Sequence, residues 1–228
     1  MNLSPFRAAK TLYSLAVLVR DPNQLGKVFE MADALATPEL LGPMVKTLSK
    51  DPDGARAFAD KPRLKVDLAE LRKLHAGTFG RTFADEMDRQ GLDPSALPDL
   101  PTPDAHAYLR AHLYETHDVW HVVTGFGTDW KGEIGLQSFY LSQIPGPLSA
   151  ALLAVGCLRL AAYEMESRDA LMGEIIRGWE MGKRARPFFG VRWNDLWTLS
   201  LDEVRSRLGV DLARKSAHSV ERASGLAA

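Results

Sequence analysis

Cysteine is nearly absent: Cys157 stands alone among 228 residues, so an internal disulfide is excluded. It falls in the apolar run 152–160, which predicts a buried thiol. Long hydrophobic runs are missing too. The longest, 148–158, falls short of the roughly 20 residues that a membrane-crossing helix needs. Segment 6–19 is apolar in stretches but carries Arg7 and Lys10, and no secretory signal opens the chain. Charge of one sign is lacking, with 28 basic residues against 29 acidic ones, so the chain as a whole has no attraction for nucleic acid, and no nucleic-acid partner is expected. Alternation of period two is scarce; 188–193 is the best candidate strand, and it is short. What remains, 46% hydrophobic and 25% charged, is the composition of a globular protein able to bury a sizeable core.

Helix punctuation fills the chain. Ser4-Pro5, Asp21-Pro22, Thr37-Pro38, Asp51-Pro52 and Thr102-Pro103 each offer an N-cap residue followed by proline at the first helical position. Ser200 and Glu203 have the spacing of a capping box, and Gly209 can stop the helix they start. Apolar residues recur at helical intervals: Leu12, Leu15, Ala16 and Val19; Leu25, Val28, Phe29 and Ala32; Phe79, Phe83 and Met87. Segments 108–121, 133–141, 148–163 and 168–184 continue the pattern. The expected fold is all-α, a single-domain multi-helix bundle over 1–213. The proline-rich connector 93–103 could set off an N-terminal helical subdomain, 1–92, and the polar tail 214–228 is expected to be flexible.

Four of the six histidines, His106, His112, His117 and His121, lie within sixteen positions. On a helix His117 and His121 share one face, about 6 Å apart in rise, so both imidazoles can reach one ion. Asp118 can be a third ligand or can hydrogen-bond an imidazole from outside. The glycine-bearing stretch Thr124-Gly125-Phe126-Gly127 should end that helix. The pattern resumes near Gly132, with Glu133 in the first turn of the next helix. If that helix runs back beside the first, Glu133 closes a site of two histidines and one or two carboxylates with a free position for water or substrate oxygen. His106 and His112 miss this stripe and are assigned surface or structural roles. Trp120 and Trp130 are expected to pack around the motif.

At these residues the sequence resembles the coenzyme Q (ubiquinone) biosynthesis protein 4 family. The family signature is His-Asp-x-x-His, eleven residues, then Glu; here His117, Asp118, His121 and Glu133 meet it. The flanking text YETHDVWHVVTG and GEIGL, KLHAGTFGRTFADEMDRQGLDP upstream, and GWEMGK and VRWNDLW downstream are similar too, so the likeness runs from about position 21 to 210. The resemblance implies a helical, dimerising protein at the membrane periphery, in a complex with other ubiquinone-synthesis enzymes, that accepts polyprenyl lipids. It implies a divalent metal, zinc first, on the four signature residues. The associated reaction is loss of the C1 carboxyl of a polyprenyl-hydroxybenzoate, alone or coupled to hydroxylation at that carbon. Mitochondrial relatives carry a presequence; this chain starts near the domain, which suggests a bacterial cytoplasmic member at the inner membrane.

A metal at His117, His121 and Glu133 could stabilise charge that builds on the ring as carbon dioxide leaves, and Asp118, if not a ligand, could protonate C1. Small residues in 148–163, Ala151, Ala154 and Gly156 with Val155, could leave an isoprenoid slot or seat a close helix neighbour. Arg159, Lys183, Arg184 and Arg186 could meet an anionic head group, and the helix over 6–19 could lie at a bilayer surface. Two other functions fit parts of the pattern. One is a non-catalytic lipid-binding scaffold with a structural metal. The other is a metal phosphohydrolase drawing on His75 and on Asp169 or Asp195.

Overall fold

Three of the five proline pairs do begin helices. The computed structural model describes residues 4–96 and 99–213, so the tail 214–228 lies outside the described residues. The α-helices are α1 (Pro5–Arg20), α2 (Leu25–Leu35), α3 (Pro38–Leu48), α4 (Pro52–Asp60), α5 (Leu68–Leu71) and α6 (Phe79–Gln90), then α7 (Ala105–Thr124), α8 (Trp130–Gln143), α9 (Pro147–Tyr163), α10 (Arg168–Arg184) and α11 (Leu201–Leu208). Pro5, Pro38 and Pro52 each open a helix, and the side chains of Ser4 and Asp51 accept from first-turn amides. Asp21-Pro22 and Thr102-Pro103 do not. Asp21 instead closes α1, its carboxylate accepting from the Asn23 amide and Gln24, while Asp104 caps α7 by accepting from the Ala107 amide. For α7 the cap comes instead from Asp104, two residues after Thr102, while α2 starts after Gln24 with no side-chain cap.

No strand occurs among the described residues; the one bridge joins Thr78 to Ser200. Segment 188–193 is a correction. Phe188 and Phe189 are buried in a loop, Gly190 turns it at φ 95°, and Trp193 opens a 3-10 turn. Its apolar run reflects tertiary burial, not sheet pairing.

The chain forms two compact units, each assembled from separated segments. Within the first, which includes Phe126–Arg184 and the chain before position 45, α8 packs along α10, α1 along α2, and α9 against α1 and α8. Leu18, Met31, Leu35, Leu40, Ile134, Leu152, Val155, Leu160 and Leu171 form its core. The stripes foreseen for α1 and α2 hold in part: Leu15, Val19 and Val28 pack against this core beside the buried Ser14, Leu18, Met31, Ala34 and Leu35, while Leu12, Leu25 and Phe29 are exposed. Cys157 is a second correction. It is exposed, because on α9 the inward face is held by Leu152, Val155, Gly156 and Leu160, and Cys157 lies about 100° round from Gly156. Backbone contact draws α8 and α10 together. A Cβ on Gly178 would overlap the Gly135 carbonyl oxygen and stand 3.0 Å from the Phe139 nitrogen.

The second unit holds Val45–Gly125 and Ala185–Asp211, with positions 97 and 98 undescribed, so the described part of 93–103 lies inside it. Phe79, Phe83 and Met87 are buried as their spacing foretells, and Phe79 stacks on Trp197 at 4.6 Å between centroids. Ser200 caps α11 by accepting from the Glu203 amide, and Gly209 ends it at φ 70°. His112 is buried on α7, with the Phe189 ring edge-on at 5.0 Å and Tyr108 Oη 3.3 Å from Nδ1. Burial pushes its pKa down to about 4.

Two measurements check this packing. Gly178→Ala in α10 should destabilise the protein by about 1–3 kcal/mol through forced separation of α8 and α10, read as a lower midpoint in chemical denaturation. His112 has a folded pKa below its unfolded value, so unfolding binds a proton. Its neutral form supports the fold fully above about pH 6.5, and that support is lost as pH falls from there toward 4. The loss should reach about 3 kcal/mol, with 1.36 kcal/mol for each unit of displacement, and His112→Gln should flatten the slope in that window.

Candidate functional site

The two signature histidines rise from α7, and the ends of that helix are tightly finished. Gly125 takes φ 67° as C-cap, returning its amide to the His121 carbonyl. The next two open carbonyls, Val122 and Val123, accept from the Arg205 guanidinium of α11 at 3.0 and 2.9 Å. This Arg is half buried, and that burial lowers its pKa below the ordinary guanidinium value. Thr116 and Thr124 turn their hydroxyls onto the His112 and Trp120 carbonyls one turn back. Trp120 is fully buried, its ring edge-on to Phe188 at 5.1 Å. The result is a helix with little freedom to rotate or unwind where His121 sits.

His121 is 5% exposed and His117 half-buried; their rings are perpendicular, and their Nε2 atoms stand 3.2 Å apart. Two nitrogens bound to one tetrahedral zinc at about 2.0–2.1 Å lie roughly 3.3–3.4 Å apart, so the pair matches a bidentate chelate. Among the described residues, no other His, Cys, Asp or Glu of this unit joins both imidazoles within ligand reach. Asp118 falls outside this group: one residue on from His117, it lies about 100° round the helix. His106 is half-buried at the start of α7, and His112 serves the core. His75 and Asp195, the residues a phosphohydrolase would need, do not join the pair either.

Glu133 belongs to the first unit. Asp129 caps α8, accepting from the Lys131 and Gly132 amides at 3.0 and 3.2 Å, and this cap fixes Glu133 in the first turn, half-buried. An acid in that position is also favoured by the positive end of the helix dipole. The small residues of α9 divide. Val155 is in the core, Gly156 would meet Ile134 Cγ1 at 2.9 Å if it bore a Cβ, Ala151 is half-buried, and Ala154 is exposed. At Gly156 the lack of a side chain seats α9 on α8.

Arg159 is committed within its own unit, donating to the Val19 and Arg20 carbonyls at 3.2 and 2.9 Å and pairing with Glu164 at 2.6 Å. Sequence reasoning missed Arg205 and Glu86. Glu86 on α6 has its carboxyl held below the usual range, first by Arg89, with Gln90 and the charge of His121 pulling the same way. Neither lies near the signature in sequence, and a lone charged residue on an amphipathic helix carries no mark of its partner. No described helix is long and apolar enough to cross a membrane.

Comparison with known proteins agrees with this picture. The chain is 28% identical over 211 residues to a mitochondrial ubiquinone biosynthesis protein of Aspergillus fumigatus, covering 90% of this chain and 73% of that one. It is 26% identical over 192 residues to the corresponding Yarrowia lipolytica protein, covering 81% and 71%. A crystal structure of a Nostoc punctiforme protein named for ubiquinone biosynthesis superposes with a TM-score of 0.78 at 33% identity, over 90% of this chain and 98% of that one. The profile of the coenzyme Q (ubiquinone) biosynthesis protein Coq4 family matches residues 2–213, and the chain belongs to that family.

Proposed function

We propose that this protein acts in ubiquinone synthesis on polyprenyl-hydroxybenzoate intermediates, with His117, His121 and Glu133 holding one divalent cation, zinc first. The observation that carries the reading is the facing Nε2 pair on α7, 3.2 Å apart, within a chain of this family. Glu133 supplies the carboxylate that makes these residues a donor set for a borderline divalent ion. Chain length supports its part: the link from Gly125 to Asp129 is only five residues, which span at most about 17 Å fully extended. His121 is one turn before that link and Glu133 one turn after it.

When bound, such an ion supplies Lewis-acid stabilisation of negative charge on a carboxylate or phenolate. The chain's own residues do the rest. Two rigid imidazoles orient the site, and Glu133 offsets the cation's charge. In the non-oxidative reaction the bond from C1 to the carboxyl carbon breaks, carbon dioxide departs, and C1 gains one proton. Asp118, beside the first ligand but not on the pair, is the residue assigned to deliver it. Association with a membrane surface, with a second copy and with other enzymes of the pathway belongs to the same proposal.

The test combines elemental analysis with turnover. Protein purified intact should hold about one equivalent of zinc per chain, and His121→Ala or Glu133→Gln should lose it by ten- to a hundredfold in affinity. Asp118→Asn should keep the metal while cutting release of carbon dioxide from a prenylated hydroxybenzoate about a hundredfold. Full metal content in both ligand variants would remove the site. Retained metal without turnover in the parent protein would leave a scaffold that binds the intermediates.

A further inference from the structure

The outward face of α1 has little in common with a solvated surface. Pro5, Phe6, Ala9, Leu12, Tyr13 and Ala16 are all exposed, Phe6, Leu12 and Tyr13 at 78%, 65% and 60%. At about 100° per residue these six fall within one arc of about 120°, roughly opposite the buried Ser14 and Leu18. Polar side chains ordinarily fill the water-facing side of such a helix. Here they lie on the inward side. The Thr11 hydroxyl donates to the Arg7 carbonyl, and Arg7 reaches across to the Asp33 and Ala34 carbonyls at the close of α2. Single apolar residues on a surface need no explanation, but an apolar stripe three turns long calls for a cover.

Charge selects that cover. α1 carries Arg7, Lys10 and Arg20 and no acidic residue. Lys10 stands about 40° beyond Phe6 at one edge of the arc, and Arg20 lies on the arc in the last turn. Next to Tyr13 comes Lys27 of α2, its Nζ 5.0 Å from the ring centroid and paired with Glu30. An apolar ridge with a basic rim matches the boundary between acyl chains and anionic head groups. There Phe and Leu enter the hydrocarbon edge, Tyr sits at the interface, and Lys and Arg extend to phosphate. A second copy of the chain fits less well. Antiparallel packing on the stripe would set Arg20 against the positive N-terminal end of the facing helix. Crossing near the C-terminal end would set Arg20 against its own equivalent.

We propose that the outward stripe of α1 is a docking surface for an anionic lipid membrane, on which α1 lies in the plane of the interface. The assignment rests on the membrane association put forward above and is independent of the metal.

The test is flotation of the full chain with vesicles of phosphatidylcholine alone and of phosphatidylcholine mixed with phosphatidylglycerol. The mixed vesicles should bind the protein about tenfold more tightly at low salt, and Lys10→Gln with Arg20→Gln should abolish that preference. Phe6→Ser with Leu12→Ser should weaken binding to the mixed vesicles about a hundredfold. Met172→Ser, at an exposed apolar residue of α10, should leave it unchanged. Light scattering should give the parent and the Phe6 and Leu12 variant the same mass. Undiminished binding in that variant, or an equal loss in Met172→Ser, would overturn the stripe and leave membrane association standing. A parent protein that floats with neither vesicle would overturn both, with zinc content still read separately on the same protein. A smaller mass for the variant would give the stripe to a second copy and overturn the assignment. The comparison of the two vesicles uses unmodified protein, so it stands even if a variant fails to fold.

Discussion

The ends of three helices, α1, α2 and α7, are held by arginines from elsewhere in the chain, and the structure depends on that device. Every α-helix leaves its last carbonyls without internal partners, and they carry the negative end of the dipole. Here Arg7 of α1 donates to Asp33 and Ala34 at the close of α2, and Arg159 of α9 to Val19 and Arg20 at the close of α1. Arg205 of α11 does the same for Val122 and Val123 at the close of α7. A glycine C-cap satisfies a helix locally and leaves its direction free. A guanidinium from another helix satisfies the same carbonyls and also ties two helices together. In a protein with no disulfide and no sheet among its described residues, these forks fix helix ends where packing alone would permit slippage.

Much of the helical layout is legible in the sequence, and the reasons are local. Phe79, Phe83 and Met87 form a clean stripe because α6 has one wet face; Ser200 and Glu203 mark the start of α11 because capping is a contact three residues long. Features set by distant contacts are not legible in this way. Leu12, Leu25 and Phe29 look like core residues and are exposed, since apolar periodicity identifies a helix but not which of two apolar faces its neighbours cover. Cys157 looks buried and is exposed for the same reason: in a helix apolar almost all round, the run carries no information about which face turns in. Segment 188–193 has the look of a strand because buried aromatics in a loop have the same composition.

The histidine pair is the most legible part of the site. A spacing of four fixes two side chains on one helical face whatever the rest of the fold does, and the resulting 3.2 Å approach is a consequence of that spacing once both rings turn toward each other. Asp118 shows the limit of the same logic. Adjacency in sequence places it near His117 along the chain and about 100° away in direction, outside the facing pair. Arg205 and Glu86, which hold and polarise this region, are separated from it by dozens of residues and have no spacing rule to betray them.

His112, His117 and His121 share one helix, and only position separates their behaviour. His112 is five residues before His117, about 140° round the axis, which turns it toward Phe189 and Tyr108 instead of toward a second imidazole. There burial pushes its pKa down to about 4, and Tyr108 Oη, which donates to the Pro62 carbonyl, stands 3.3 Å from its Nδ1. His117 and His121 face each other, their perpendicular rings bringing the two Nε2 atoms to 3.2 Å. The same side chain thus serves as a buried core residue on one face of α7 and as half of a facing pair on the other. Both follow from one structural condition, that the helix cannot rotate. A turn of α7 by a single residue would carry each histidine about 100° from its present neighbours, and the Arg205 fork at its C-terminus resists that motion.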